Sequence, residues 1–253
     1  ILQDMPHVGR HQQDHIGVDF TLLVNRPSLN QKLRPILGKL MVGLEYLFLR
    51  SGPLAMSLNQ AGGFVKSDAS LDSPDLQLYF SPLSYSTAPQ GKRPLMSPDP
   101  YPAVRLGFNP TKPTSEGWIS LESSDPRKSP KFVGNYLSTA KDKKVMISGM
   151  HLMRKFLQTK AIKKIVDEEI SPGSNFKDDE SFMDFARDEG GTVFHQCGTC
   201  RMGIDVSSSV VDESLNVHGT KGLRVVDASI FPRITTGNTN APAIMVGEKA
   251  ADT

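Results

Sequence analysis

Cysteine is scarce: Cys197 and Cys200 are the only two in 253 residues. That is too few for a disulfide scaffold, and one Cys-x-x-Cys leaves the redox compartment open. Long apolar runs are missing too. The longest, Lys39 to Leu49, is interrupted by Gly43 and Glu45 and falls short of the roughly 20 residues a membrane span needs, so no span is expected. No charge sign dominates. The 29 Lys and Arg residues offset 27 Asp and Glu for a formal net charge of +2, and their interspersion excludes the basic stripe expected of nucleic-acid or anionic-membrane binders. There is no internal repeat, no low-complexity stretch and no Gly-x-Gly-x-x-Gly turn. The chain also opens at Ile1 with neither an initiator Met nor a signal segment, from which a fragment or a processed product is expected, its localisation hidden.

What is present suits a globular protein. With 38% hydrophobic and 22% charged residues, the chain can bury a core of one or two domains, and a small molecule is the expected partner. The first segment is punctuated by Pro6, Gly9, Pro27 and Pro35 and reads as connecting structure with one helix from about Leu37 to Leu49. Strand-like runs follow at Gly63–Lys66, Asp75–Tyr85, Ala103–Asn109, Trp118–Leu121 and Phe132–Leu137, separated by Pro, Gly, Ser and Asp clusters. That pattern predicts an antiparallel sheet. Apolar residues at helical spacing predict a long helix over Lys141–Glu169, ending before Ser171-Pro172-Gly173, and a second over Glu180–Asp188. Ser209–Asp212, Leu215–Val217 and Gly222–Val226 read as strands. The last element, from Thr239 with Pro242 in its first turn, reads as a largely buried helix.

The densest chemical signal is Phe194-His195-Gln196-Cys197-Gly198-Thr199-Cys200-Arg201-Met202-Gly203. It is followed by Val210-Val211-Asp212, by Gly222-Leu223-Arg224-Val225-Val226-Asp227-Ala228-Ser229, by Gly237-Asn238-Thr239-Asn240-Ala241-Pro242 and by Gly247-Glu248-Lys249-Ala250-Ala251-Asp252. In this order and at these spacings they resemble the C-terminal signature of the glucose-methanol-choline (GMC) flavoproteins. Near the start, Val8-Gly9-Arg10-His11-Gln12-Gln13-Asp14-His15 is similar to the family's Val-Gly-x-Asn-Leu-Gln-Asp-His, and Asn135-Tyr136-Leu137 matches another short landmark. His11 stands where Asn is usual, and Gln12 where Leu is.

The resemblance implies an α+β fold: an antiparallel-sheet substrate-binding domain with flanking helices, plus a C-terminal segment completing an FAD-binding α/β domain whose N-terminal part is absent. It divides the chain into a connecting region (1–50), a substrate-binding domain (51–190) and an active-site and return segment (191–253). It also implies FAD as cofactor and oxidation of the CH–OH group of an alcohol, sugar or choline-like small molecule. Such a reaction removes a hydroxyl proton and passes a hydride to flavin N5, the protein supplying base and geometry. The implied base is His195, since an imidazole is largely neutral and able to accept a proton near pH 7. Asn238 is implied as a second catalytic residue, its amide bonding the substrate oxygen as negative charge develops; the plainer reading is a helix N-cap. Asp227 and Ala228 stand where the family's turn holds the flavin, although a turn aspartate also caps nearby amides. Asn238, Thr239 and Asn240, opening the last helix, are implied to meet the flavin ring, where amides and a helix dipole favour negative charge.

Other constellations compete. Cys197 and Cys200 beside His195 form either a thiol-redox pair or part of a zinc site, but no further pair at finger-like spacing completes four ligands. His7, His11 and His15 have the i, i+4 spacing of a helical metal face, against which Pro6 and Gly9 argue. Trp118 reads as a sheet residue, and Met146, Met150 and Met153 as core filling. The leading reading is therefore an FAD-dependent enzyme or its C-terminal part. A non-catalytic truncated fragment acting as a binding module and a thiol-redox protein are the alternatives. Substrate identity and the electron acceptor, oxygen or a quinone-like compound, are not written in the sequence.

Overall fold

A computed structural model describes residues 3–85 and 97–252. Two compact units emerge: one comprises residues 1–17, 110–146 and 191–253, the other 18–109 and 147–190. The chain thus visits each more than once.

The second unit is built on a sheet. Strand β1 (Ile16–Val24) begins in the first unit and supplies the sheet's inner strand; around it the order is β2 (Ala61–Val65), β3 (Leu76–Ser81), β4 (Ala103–Pro110), β1 and β7 (Val166–Ser171). β1 pairs antiparallel with both β4 and β7, and β2 with β3. Period-2 alternation in β1 puts Val18, Phe20, Leu22 and Val24 on one face, all buried. Helices α3 (Ala140–Leu157) and α5 (Asp179–Asp188) cover that face: Gly149 lies so close to the Phe108 ring that a Cβ there would stand 2.1 Å from it. The Arg154 guanidinium sits 5.5 Å from the Phe20 ring and 5.7 Å from that of Phe182, and pairs with Glu169. Short α1 (Leu29–Leu33), opened by a Ser28 capping box, and α2 (Ile36–Leu49) complete this unit with α4 (Lys160–Lys163).

Three expectations need correction. The first segment is more than connecting structure, since it contributes β1; its Val18-Asp19-Phe20-Thr21-Leu22 alternation is a strand signal that the surrounding Pro and Gly masked. The helix over Lys141–Glu169 stops at Leu157, and after α4 the chain turns into β7, whose Asp167 and Glu168 project outward as charges on an edge strand do. The strands expected at Ser209–Asp212, Leu215–Val217 and Gly222–Val226 are reduced to isolated bridges, Met202 to Val211, Val211 to Val217 and Asn216 to Arg224. Left-handed backbone at Leu215, Gly219 and Gly222 (φ 67°, 70° and 71°) turns the chain too often for a ladder to grow.

The first unit carries the two-stranded sheet of β5 (Trp118–Ser120) and β6 (Lys131–Val133) and the short β8 (Gly191–Thr192), which pairs with Ile16 and Gly17. Its core joins Cys197, Val210, Val211, Val217, Ile230 and Phe231 to Val246 of α6 (Asn240–Ala251). The final helix is less buried than expected: Val246 and Ala250, one i, i+4 stripe, face the core, while Ile244 and Met245 are exposed.

Candidate active site

Backbone hydrogen bonds lace together three stretches far apart in sequence. Gln13 and Cys197 exchange amide-to-carbonyl bonds of 3.0 Å in both directions, and the Gly9 amide donates to the Thr199 carbonyl at 2.8 Å. On its other side the same stretch follows a turn of 3₁₀ helix, Ala228–Ile230, with the Cys200 amide donating to Ser229 at 2.8 Å and that of Met202 to Ile230 at 2.7 Å. The Gln13 side chain then accepts from the Ile234 amide at 3.0 Å. Gly198 is required at this crossing: its φ is +87°, and a Cβ would lie 2.4 Å from the His11 carbonyl oxygen.

At the centre is a buried carboxylate. Oδ1 of Asp14 accepts from the amides of His15 (2.8 Å) and His195 (2.9 Å), and Oδ2 from the hydroxyls of Tyr136 (2.6 Å) and Thr192 (2.5 Å). Burial, foremost, and the Asp14 carboxylate push the Tyr136 phenol up from its ordinary value, so it remains a donor. Asp14, Thr192 and Tyr136 were not singled out from sequence; for Asp14 and Tyr136 the signal lay in the Gln13-Asp14-His15 and Asn135-Tyr136-Leu137 landmarks, and Thr192 lies outside both.

His15 and His195 face each other through their Nδ1 atoms, and the identity of the remaining partners fixes their protons. Nε2 of His15 lies 3.1 Å from the Thr111 carbonyl, an acceptor only, so that nitrogen carries a hydrogen. Burial, against a smaller opposing pull from the Thr111 bond, lowers the His15 pKa to about 4. A neutral His15 then has a lone pair on Nδ1, and His195 donates to it from its own Nδ1 at 2.9 Å. Nε2 of His195 is left with the lone pair and accepts no hydrogen bond among the described residues. Burial also lowers the His195 pKa, partly countered by the Asp14 charge, so the ring is neutral at pH 7. The arrangement is that of a general base oriented through its second nitrogen.

The other sequence candidates are placed as follows. Asn238 is exposed and precedes Thr239, which occupies the N-cap position of α6 without a side-chain cap bond; the capping alternative for Asn238 is thereby corrected. Asp227 caps the 3₁₀ turn, accepting from the Ser229 amide at 2.8 Å, and Ala228 opens that turn. Asn240 is the first residue of α6, whose first turn carries no acidic side chain; the positive end of a helix dipole suits an electron-rich group. Cys197 is buried and burial pushes its thiol up to about 12; Cys200 is half-buried and also raised by burial. Neither has the lowered pKa of a redox thiol. His7 and His11 stack, with Nδ1 and Nε2 3.1 Å apart, and His11 reaches Glu116 at 2.8 Å, whereas His15 turns inward. The three do not converge, and among the described residues no group of three or more His, Cys, Asp and Glu could hold a metal ion. Trp118 is half-buried in β5 with Arg10 5.7 Å and Lys131 5.5 Å from its ring.

The donor set fits the reactive end of a flavin: a neutral base with one open nitrogen, and a helix N-terminus without competing carboxylates. No Gly-x-Gly-x-x-Gly cradle for a pyrophosphate occurs in the sequence.

Comparison with known proteins shows the family. The family model for GMC oxidoreductases matches residues 113–247. An alcohol dehydrogenase (acceptor) of Pseudomonas putida is 35% identical over 259 residues, spanning 100% of this chain and 45% of that protein. An oxygen-dependent choline dehydrogenase of Brucella anthropi is likewise 35% identical, over 254 residues and 45% of its length. The chain therefore spans about half the length of these relatives. Among solved structures, a formate oxidase superposes with a TM-score of 0.86 at 29% identity, covering 98% of this chain and 47% of the other. An Aspergillus oryzae formate oxidase variant, studied for its FAD modification, gives 0.86 at 27% identity, with the same 98% and 47% coverage. The chain belongs to the GMC oxidoreductase family.

Proposed function

We propose that the protein containing this chain is an FAD-dependent oxidoreductase acting on the CH–OH group of an alcohol, sugar or choline-like substrate. The observation carrying this reading is the open Nε2 of a neutral His195, whose other nitrogen is committed to His15. His195 takes the substrate's hydroxyl proton on Nε2 and becomes an imidazolium, its charge favoured by Asp14. Asn238 donates its amide hydrogen to the substrate oxygen as negative charge grows there. When bound, FAD would supply the acceptor for the hydride. Asp227, Ala228, Thr239 and Asn240 would hold it, residues 51–190 serving the substrate and 191–253 returning to the flavin. The dehydrogenase names of the relatives support this class of chemistry.

The test is His195→Ala in the whole protein. Flavin reduction by substrate, followed by rapid mixing, should slow about 10²- to 10⁴-fold, with flavin content unchanged. Reduction at the unaltered rate would make His195 a structural histidine.

A further inference from the structure

The pair of histidines explains which nitrogen of His195 is open, but not what holds the pair in register. Phe194, just before the base, has φ 63°, a left-handed conformation that costs a bulky residue energy and persists only where surrounding bonds enforce it. The enforcing bonds converge. The Thr192 hydroxyl donates to Asp14 Oδ2 at 2.5 Å and accepts from the Phe194 amide and the Gln196 side-chain amide, each at 2.9 Å. Asp14 Oδ1 takes the amide of His195 itself and, on the same oxygen, that of His15. Residues 194, 195 and 196 therefore hang on one carboxylate, directly or through Thr192, and so does the backbone of the ring that sets the base's tautomer. Asp14 is 4% exposed, and its four neutral donors occupy both oxygens. Such a saturated group is rigid, and it touches neither ring nitrogen.

We propose that Asp14 is the positioning residue of this site, its Oδ1 clamping the peptides of His15 and His195 so that their Nδ1 atoms meet and Nε2 of His195 is left as the open basic nitrogen. This rests on His195 being the base. The division of labour between the two oxygens makes the role separable from charge. Asp14→Asn keeps a carbonyl oxygen for the two amides, while the Tyr136 hydroxyl can reorient to accept from the new amide nitrogen and the Thr192 hydroxyl can do so by releasing the exposed Gln196 side chain, one of the two donors it now accepts from. Asp14→Ala removes clamp and charge together. The titratable groups around the carboxylate are His15, His195, Tyr136 and Cys197, with Asp142 lining the same small cavity as Asp14 and Tyr136.

The experiment uses the whole flavin-loaded protein labelled with 15N at its histidines, with imidazole shifts recorded against pH alongside flavin reduction. The unaltered protein should show His195 as a single neutral tautomer with hydrogen on Nδ1, and His15 as the opposite tautomer. Asp14→Asn should retain that pattern but titrate His195 at lower pH, moving the acidic limb of the rate profile the same way. Asp14→Ala should mix the tautomers and slow flavin reduction by about 10²-fold, the scale of a catalytic group displaced by an ångström. Unchanged tautomers and rate in Asp14→Ala would overturn the assignment, as would an Asp14→Asn protein whose tautomers are scrambled. If Asp14→Ala does not fold, Asp14→Asn decides alone: a retained tautomer pattern supports the clamp, and a scrambled one overturns it. The spectra are independent of turnover. A rate unaffected by His195→Ala would sink the functional reading and leave the tautomer pattern to judge Asp14.

Discussion

Nδ1 of His195 and Nδ1 of His15 stand 2.9 Å apart with the two rings nearly perpendicular, at 87°. Two nitrogens at that distance share one hydrogen, so with His195 holding it on Nδ1 the contact is attractive only while His15 is neutral. A proton added to His15 would set two N–H groups against each other in a buried place. The pairing that orients the base is therefore also a point of acid weakness.

That weakness has a sign and a size. In the unfolded chain His15 takes up a proton near its ordinary value of 6.5, whereas burial lowers that value to about 4 in the fold. The unfolded state thus binds more protons between these limits, and stability falls as pH drops through them. The full gap corresponds to about 3 kcal/mol. Urea unfolding of the protein from pH 7 to pH 4 should show this loss, and His15→Gln, which removes the titration, should flatten the curve across that window. Parallel curves for the two proteins would show that His15 titrates normally in the fold.

Much of this was legible beforehand, for identifiable reasons. Strand runs such as Ala103–Asn109 and the helices at 37–49 and 180–188 carry strong periodicity and turn signals, and appear within a residue or two of their expected limits. Apolar spacing misled where it was continuous across a break: Ile162, Ile165 and Val166 extend the pattern of α3, yet α3 ends at Leu157 and Val166 begins a strand. Period alone cannot locate a stop without a strong cap. The site divides in the same way. Motif order pointed to His195, but no sequence pattern states that Nε2 of His15 meets a carbonyl from residue 111 or that Oδ1 of Asp14 holds two amides 180 residues apart along the chain. Those are products of chain crossing, and they decide the protonation state on which the chemistry depends.

The cysteine pair gives a second test. With burial holding the Cys197 thiol up at about 12, only about one part in 10⁴ is thiolate at pH 8, and the Cys200 thiol is raised as well. In the native protein both should react with a thiol-specific disulfide reagent far more slowly than in urea, and mild oxidants should leave free thiols countable after denaturation. Rapid native labelling, or loss of both thiols together under mild oxidation, would restore a redox role for the Cys-x-x-Cys.

Asn238 offers a test of the chemistry just ahead of the last helix, whose N-cap position belongs to Thr239. Thr239 holds the N-cap position of α6, so replacing Asn238 removes no N-cap side chain, and cap loss, typically about 1 kcal/mol, is not expected. If its amide donates to the developing alkoxide, the cost falls on the reaction instead. Losing one donor of this kind slows the chemical step about 10²- to 10³-fold. Asn238→Ala and Asn238→Ser should then slow flavin reduction to a similar degree in protein that retains its flavin, since the shorter hydroxyl does not reach where the amide did. An Asn238→Ser protein that is stable, loaded with flavin and reduced at the unaltered rate would remove Asn238 from the catalytic set and leave His195, held by His15 and Asp14, to carry the proton transfer alone.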